Sequence, residues 1–198
     1  MQALEQLRFV VSLVTAGCVS LVLAAVALSF VLLSRGGARD VRRSPVATLS
    51  MLGFLAGFYL LMHWRISEAD WLGYGWRLAL ALAGCALLAL GTAVNLAGRL
   101  NLKRNWADQA TVYEDQQLVT SGVYGWLRHP LYASLIWMYC GAALAYANPA
   151  ALAADLLVFV PAMYWRARLE ERLLVLHLPG YAEYMKRTPM FVPKLWIR

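Results

Sequence analysis

Hydrophobic residues in this chain come in long runs separated by short polar stretches, and the run lengths are the first structural information it offers. The first run extends from about Phe9 to Leu33 and stops where Ser34, Arg35, Gly36 and Gly37 break the apolar pattern. A second runs from Val46 to His63, after the Pro45 break, and a third from Trp76 to Gly98. Within the third, Gly84 and Gly91 are small enough to let another helix approach closely. A spanning helix needs about 20 mostly apolar residues, because the hydrocarbon layer is roughly 30 Å thick and each helical residue rises about 1.5 Å. These runs meet that requirement, so the pattern predicts membrane-spanning helices.

Two shorter runs follow, Leu131 to Ala147 and Ala150 to Trp165, separated only by Asn148-Pro149. That dipeptide favours a turn over a continuing helix, which predicts a tight helical hairpin. Both limbs sit at the lower end of spanning length, and a re-entrant hairpin is the competing arrangement. The loop from Arg99 to Pro130 and the tail from Arg166 onward are polar enough to be wet. The expected fold class is therefore an all-α integral membrane protein. It has about five transmembrane helices, a C-terminal helical hairpin and a cytosolic cofactor pocket. Residues 1–98 form an N-terminal three-helix membrane region, and residues 99–198 a C-terminal region of polar loop, hairpin and tail, together one integrated domain.

Composition supports lipid as the solvent: 61% of the 198 residues are hydrophobic and 15% charged, more apolar surface than one soluble core of this size needs. The first run is too long for the apolar core of a cleavable signal and lacks a basic lead, so it reads as a permanent span. The formal charge of +7 does not point to nucleic acid, because hardly any chain is left to build a water-exposed basic face. The basic residues act as topology signals instead. Fifteen of the eighteen fall on one face of a five-span arrangement, and only Arg8, Arg65 and Arg77 fall on the other. Because lysine and arginine are retained on the cytoplasmic side, the N-terminus is expected outside and the tail in the cytoplasm. Trp64, Trp71, Trp76 and Trp165, near span ends, suit interfacial belts. Cys18, Cys85 and Cys140 fall inside apolar runs as packing residues, and His63, His129 and His177 are scattered, so no metal site is predicted.

Chemistry is expected where the polar loop and tail meet. In Gln116-Gln117-Leu118-Val119-Thr120-Ser121-Gly122-Val123-Tyr124 and Arg128-His129-Pro130-Leu131-Tyr132, local physics reads a turn at Ser121-Gly122 and a helix start at Pro130. The functional alternative is that free N–H groups at that helix start, with Arg128 and His129 beside them, offer donors to an anionic ligand group. Tyr124 and Tyr132 then supply an aromatic wall or hydroxyl partners for a nucleoside. Arg166 and Glu170 share a helical face; as an ordinary pair in this orientation they are worth only a few tenths of a kcal/mol, about the weaker case for such pairs. Arg166 is also a suitable fork for a carboxylate or phosphate, and Glu170 an acceptor for ribose hydroxyls. Tyr181, Tyr184 and Met185 share a face of a short helix that lies on the membrane surface or acts as a lid. Asp155 is costly facing lipid and is expected inside the bundle or near the outer interface, and Pro161 marks a kink.

The pattern LVTSGVY, then RHPLY, then an Asn-Pro hairpin turn, then Arg166 with Glu170-Glu171, then a Tyr-rich basic tail ending at Pro189, resembles the isoprenylcysteine carboxyl methyltransferase family. The resemblance covers roughly the C-terminal half of the chain. It implies a membrane enzyme that transfers a methyl group from S-adenosylmethionine to the carboxylate of a prenylated cysteine. It further implies that Gln109, Gln116, Gln117, Leu118, Val119, Tyr124, His129, Pro130, Leu131, Tyr132 and Glu170 contact the cofactor, while Arg166 is catalytic and faces the substrate carboxylate. Arg168 and Leu169 stand where eukaryotic members are more acidic. With about five spans, the chain resembles the compact prokaryotic branch, which implies a bacterial-type inner membrane and a lipophilic small-molecule or lipidated substrate.

Other readings of the same residues stay open. Phospholipid amine and small-thiol methylation differ from carboxylate methylation only in the acceptor. The RHP-x-Y pattern also resembles the C-terminal part of NADPH-dependent sterol reductases, and a small structural or transport membrane protein would use the polar loop and tail merely as anchors.

Overall fold

The computed structural model describes residues 2–33, 38–42, 53–60, 63–105, 110–113 and 117–193. The first predicted span is a single helix, α1 (Gln2–Leu33), and the third is α2 (Tyr74–Leu102). Half of the second predicted span, Val46 to His63, lies outside the described residues, and 53–60 within it is helical. The hairpin is formed by α3 (Pro130–Ala145) and a second limb, α4, which runs over Pro149–His177; α5 (Tyr181–Arg187) follows. Among the described residues, three helices are long and apolar enough to cross a membrane: Gln2–Leu32, Tyr74–Leu102 and Pro149–His177. At about 1.5 Å per residue, the 16 residues of α3 fall short of the roughly 30 Å hydrocarbon layer.

The second hairpin limb continues beyond the apolar run that ends at Trp165, as helix to His177. The reason is amphipathicity beyond the apolar run: Met163, Ala167, Glu171 and Leu173 turn inward, and Arg168 pairs with Glu171 one turn away. The chain is mostly helical rather than all-α. Two short strands, β1 (Ala38–Arg42) and β2 (Ala110–Tyr113), pair antiparallel with Val41 opposite Thr111 and an irregularity between Ala38 and Asp40. Thr111, Val112 and Tyr113 favour extended backbone, and no single strand satisfies its own amides, so the two polar connectors satisfy each other. That ribbon ties the loop after α1 to the loop after α2, placing both at the same end of the bundle.

Backbone contact between α2 and α3 positions everything else. Gly84, Gly91 and Gly98 recur at intervals that return to one helix face, and all three meet α3. A Cβ on Gly91 would lie 2.8 Å from the Ser134 carbonyl oxygen, and one on Gly141 would lie 2.8 Å from the Gly84 carbonyl oxygen. Any larger residue would force the helices apart, which is the small-residue mode of packing used where lipid supplies no hydrophobic drive. Buried Asn95 bridges the same interface, its Nδ2 donating to Ser134 Oγ at 2.8 Å.

The turn between the hairpin limbs is capped by its own sequence. Asn148 Oδ1 accepts from the Ala151 N–H at 2.9 Å, and Pro149 occupies the first helical turn, where its missing N–H is harmless. Asn148 Nδ2 donates to the Ile66 carbonyl at 2.9 Å, tying the turn to the 63–73 connector. Here Arg8, Arg65 and Arg77 gather around Glu68 and Asp70: Arg8 pairs with Glu68, Arg65 reaches it at 3.2 Å, and Arg77 reaches Asp70 at 3.1 Å. The three basic residues assigned to the minority face thus share one cluster. Phe54, Phe58, Tyr139 and Phe159 stack where the 53–60 helix meets the hairpin. Asp155 is fully buried in the bundle, at the start of a wide π-turn (Asp155–Phe159) just ahead of Pro161, and neither oxygen has a hydrogen-bond partner among the described residues.

Candidate functional site

At the end of the bundle that carries the two polar connectors, α3 begins at Pro130 and α4 passes alongside it. Tyr132, in the first turn of α3, donates its hydroxyl to Glu170 Oε2 of α4 at 2.9 Å. Arg166, one turn earlier on α4, donates from Nε to the same hydroxyl oxygen at 3.2 Å, its guanidinium 5.8 Å from the Tyr132 ring centre. The i,i+4 spacing puts Arg166 and Glu170 on one face, and Tyr132 bridges them across the hairpin. His129 stacks on Tyr132 with ring centres 5.5 Å apart and planes 10° from parallel. The sequence-predicted residues Arg166, Glu170, Tyr132 and His129 therefore form one contiguous group.

A second layer, built on Glu171, holds that group in place. Arg128 Nε donates to Glu171 Oε1 at 2.7 Å, and His129 Nε2 lies 3.2 Å from the same oxygen. Arg168 reaches the other oxygen at 3.4 Å. Arg128 Nη1 also donates to the carbonyls of Met185 and Thr188. The tail crosses the helix start as a strap: Arg128 N–H donates to the Pro189 carbonyl at 2.8 Å and His129 N–H to that of Met190 at 3.2 Å. Phe191 packs edge-on against His129, ring centres 6.2 Å apart. Glu171 is 2% exposed, and a carboxylate so far from water persists only when paired in this way.

These contacts revise the expected donor set. Arg128 spends its fork on Glu171 and on tail carbonyls, and His129 faces Glu171 and Glu170, so neither is poised for an external anion. The first-turn N–H groups of Leu131 and Tyr132 make no hydrogen bond among the described residues. Pro130 is buried, its ring beside Gly98 at the end of α2.

The 117–125 segment forms the third wall. Gln117 is exposed and anchored through its backbone N–H to Asn105 Oδ1 at 3.0 Å. Val119 is half-buried, and Leu118 packs with Leu174, Leu178, Tyr181, Tyr184 and Met185. The shared face of Tyr181, Tyr184 and Met185 is thus turned onto protein. Gly122 adopts φ +61°, and the Asn101 carboxamide occupies the space a Cβ would take while accepting from the Val123 N–H at 3.0 Å. The short 3-10 turn Gly122–Gly125 buries Tyr124, whose carbonyl accepts from the Tyr184 hydroxyl at 2.6 Å. Burial, then the nearby charge of Glu170, holds the Tyr124 phenol well above its usual pKa. Burial likewise pushes Tyr184 up to about 12, so both remain neutral donors at physiological pH. Gln109 and Gln116 lie outside the described residues.

Glu171 is the main residue that sequence reasoning left without a role. Its signal was present: consecutive Glu170 and Glu171 point about 100° apart on a helix, so only one can serve the Tyr132 face, and the other needs its own cations. Arg99 was read only as a topology signal.

For S-adenosylmethionine the residues present are chemically suitable. Among the described residues, the contacts of Glu170 fall on Oε2, and the side chain is 30% exposed, so Oε1 suits the role of acceptor from a ribose diol. The uncommitted amides of Leu131 and Tyr132 suit a carboxylate at the helix start.

Comparison with known proteins places this arrangement. The phospholipid methyltransferase family model matches residues 79–178. A cobalt-zinc-cadmium resistance protein of Cupriavidus metallidurans, CzcN, is 33% identical over 60% of this chain and 50% of its own length. Protein-S-isoprenylcysteine O-methyltransferase of Saccharomyces cerevisiae is 34% identical over 40% of the chain and 34% of its own length. The human protein of that name is 30% identical over 58% and 41%. The chain thus spans half or less of the length of these curated relatives. A solved structure of a eukaryotic intramembrane Ras methyltransferase, isoprenylcysteine carboxyl methyltransferase, superposes with a TM-score of 0.54 at 22% identity, covering 78% of this chain and 55% of that one, which shows a shared fold. With its family match running from the second turn of α2 to just past the end of α4, this chain belongs to the phospholipid methyltransferase family, alongside the isoprenylcysteine carboxyl methyltransferases.

Proposed function

We propose that this protein is a membrane-embedded methyltransferase that uses S-adenosylmethionine to methylate the carboxylate of a prenylcysteine-like or other lipophilic acceptor. The observation that carries the reading is the Arg166–Tyr132–Glu170 chain, which joins a cation, a phenol and a carboxylate across the hairpin. When bound, S-adenosylmethionine would supply an electrophilic methyl on a sulfonium centre and leave as a neutral thioether. A carboxylate acceptor is already anionic, so no general base is required. The chain's task is alignment and exclusion of water. Glu170 accepts from the cofactor's sugar, Gln117 to Val119 with Tyr124 line its other side, and the Arg166 guanidinium orients the acceptor oxyanion by its charge. Tyr132 keeps the two halves in register. The water-soluble cofactor enters from the cytosol, while the acceptor reaches the same end of the bundle from the lipid.

The names of the isoprenylcysteine relatives support the carboxylate acceptor. The phospholipid methyltransferase family description favours a second reading, transfer to a lipid amine, in which the attacking nitrogen must first be neutral. Transfer of labelled methyl from S-adenosylmethionine to a panel of farnesylcysteine, phosphatidylethanolamine and small-thiol acceptors tests the proposal. Label in a base-labile ester of farnesylcysteine supports the first reading, and base-stable label in the phospholipid supports the second. No transfer to any acceptor, with NADPH bound instead, overturns both.

A further inference from the structure

Arg99, in the last turn of α2, takes no part in the methyl-transfer group, yet its position is unusual for a boundary arginine. Leu100 beside it is 73% exposed on the lipid side, and the helix ends at Leu102, so the guanidinium sits at the hydrocarbon–headgroup boundary. The side chain is half-buried and leans back onto the helices. Nε donates to Asn95 Oδ1 at 3.0 Å and Nη1 to Ser29 Oγ of α1 at 3.2 Å, and both of those residues are buried. Asn95 is fixed in turn by Ser134 of α3, so three helices hold the arginine in one orientation.

Both acceptors are neutral, and among the described residues no carboxylate pairs with Arg99. Nη2 and one Nη1 proton make no hydrogen bond there. A cation at a membrane boundary normally sits in water or against a counter-ion, because leaving it unpaired in low dielectric is costly. An arginine oriented by neutral donors and acceptors, with its outer edge uncommitted, matches the bidentate geometry of a phosphate or carboxylate. Arg99 also lies near enough to Tyr124 for its charge to oppose the burial-driven rise of that phenol, so it borders the cofactor wall without belonging to it.

We propose that Arg99, oriented by Ser29 and Asn95, is a binding site for the oxyanion of a lipid at the cleft between α1 and α2. The ligand chemistry is a phosphate diester or a fatty carboxylate on an apolar tail, because Leu28 and Leu32, next to Ser29 on α1, and Leu100, next to Arg99 on α2, are exposed apolar side chains. The site is independent of methyl transfer and is tested without cofactor.

Native mass spectrometry of the full chain in detergent, titrated with dioleoylphosphatidylglycerol, palmitate and neutral dioleoylglycerol, provides the test. The wild type should retain one or both anions at least tenfold better than dioleoylglycerol. Arg99→Gln should erase that preference, and Ser29→Ala should reduce it severalfold. Loss confined to phosphatidylglycerol identifies a phosphate headgroup, and loss confined to palmitate a fatty acid. Equal retention by Arg99→Gln and wild type overturns the site. If Arg99→Gln does not fold, photo-crosslinking with headgroup-labelled phosphatidylglycerol and chain-end-labelled-carboxyl palmitate on the wild type decides. Adducts in the peptides around Ser29 and Arg99 support the site, and adducts found only elsewhere overturn it.

Discussion

The hydroxyl of Tyr132 donates to Glu170 Oε2 at 2.9 Å, joining residues 38 positions apart across the two limbs of the hairpin. The bond ties the first turn of α3 to α4 and, with Arg166 on the same hydroxyl, gathers the three side chains on which the proposed cofactor site rests.

Arg166 and Glu170 should separate on mutation. Arg166→Ala is expected to lower methyl transfer by at least about 100-fold, the scale of about 2.7 kcal/mol for a lost charge-assisted contact in the transition state. Cofactor affinity by calorimetry should change less than about threefold, under 1 kcal/mol. Glu170→Ala should instead weaken S-adenosylmethionine binding, and unchanged calorimetry for that variant would contradict its assignment.

Tyr132→Phe removes the bridging hydroxyl but keeps the ring stacked on His129. The hydroxyl makes two hydrogen bonds, to Glu170 and from Arg166, each worth about 1 kcal/mol net, so activity should fall at least about fivefold and the thermal midpoint by a few degrees. Full activity would show that the hydroxyl is dispensable.

Breaking the buried Arg128–Glu171 pair leaves an unpaired charge in a dry place. Glu171→Ala should destabilise by about 3–5 kcal/mol, whereas replacing both partners by apolar residues should recover much of that. Limited proteolysis of the 185–193 strap gives an independent reading, because Arg128 also anchors the Met185 and Thr188 carbonyls.

Substituting Leu at Gly91 places a side chain where Ser134 backbone already lies, 2.8 Å from the new Cβ. The α2–α3 contact must open, at a cost of about 1–3 kcal/mol or more for overpacking. Lower detergent-resistant thermal stability is the expected result, while Gly17→Leu, with open space around it, should be neutral.

Alkaline titration should report the buried phenols. Tyr184 is raised to about 12 from an ordinary value near 10. A group with a raised folded-state pKa contributes stability that is fully present below pH of about 10 and lost as pH rises toward the folded value. Phenolate absorbance should therefore show a tyrosine class titrating above pH 11, appearing together with loss of helicity. A single transition near pH 10 would contradict the burial.

Run length and composition alone predicted the long apolar helices α1, α2 and α4, because the solvent-matching rule is local: about 20 apolar residues suffice whatever the partner. Asn148-Pro149 likewise announced its own turn, since a cap and a missing N–H act within a few residues. The Arg166 and Glu170 pairing on one face followed from helical periodicity. Other features needed the third dimension. How far α4 runs beyond the apolar run ending at Trp165 depends on which side of Ala167 and Glu171 meets protein, and only the folded chain shows that it reaches His177. The β1–β2 pairing joins segments about seventy residues apart, beyond what alternation in a five-residue stretch specifies. The roles of Arg128, Glu171 and Arg99 depend on which neighbours consume their hydrogen bonds. Charge and side-chain type are written in the sequence, but whether a guanidinium is spent on a buried carboxylate or left uncommitted is a property of packing, decided only when the helices come together.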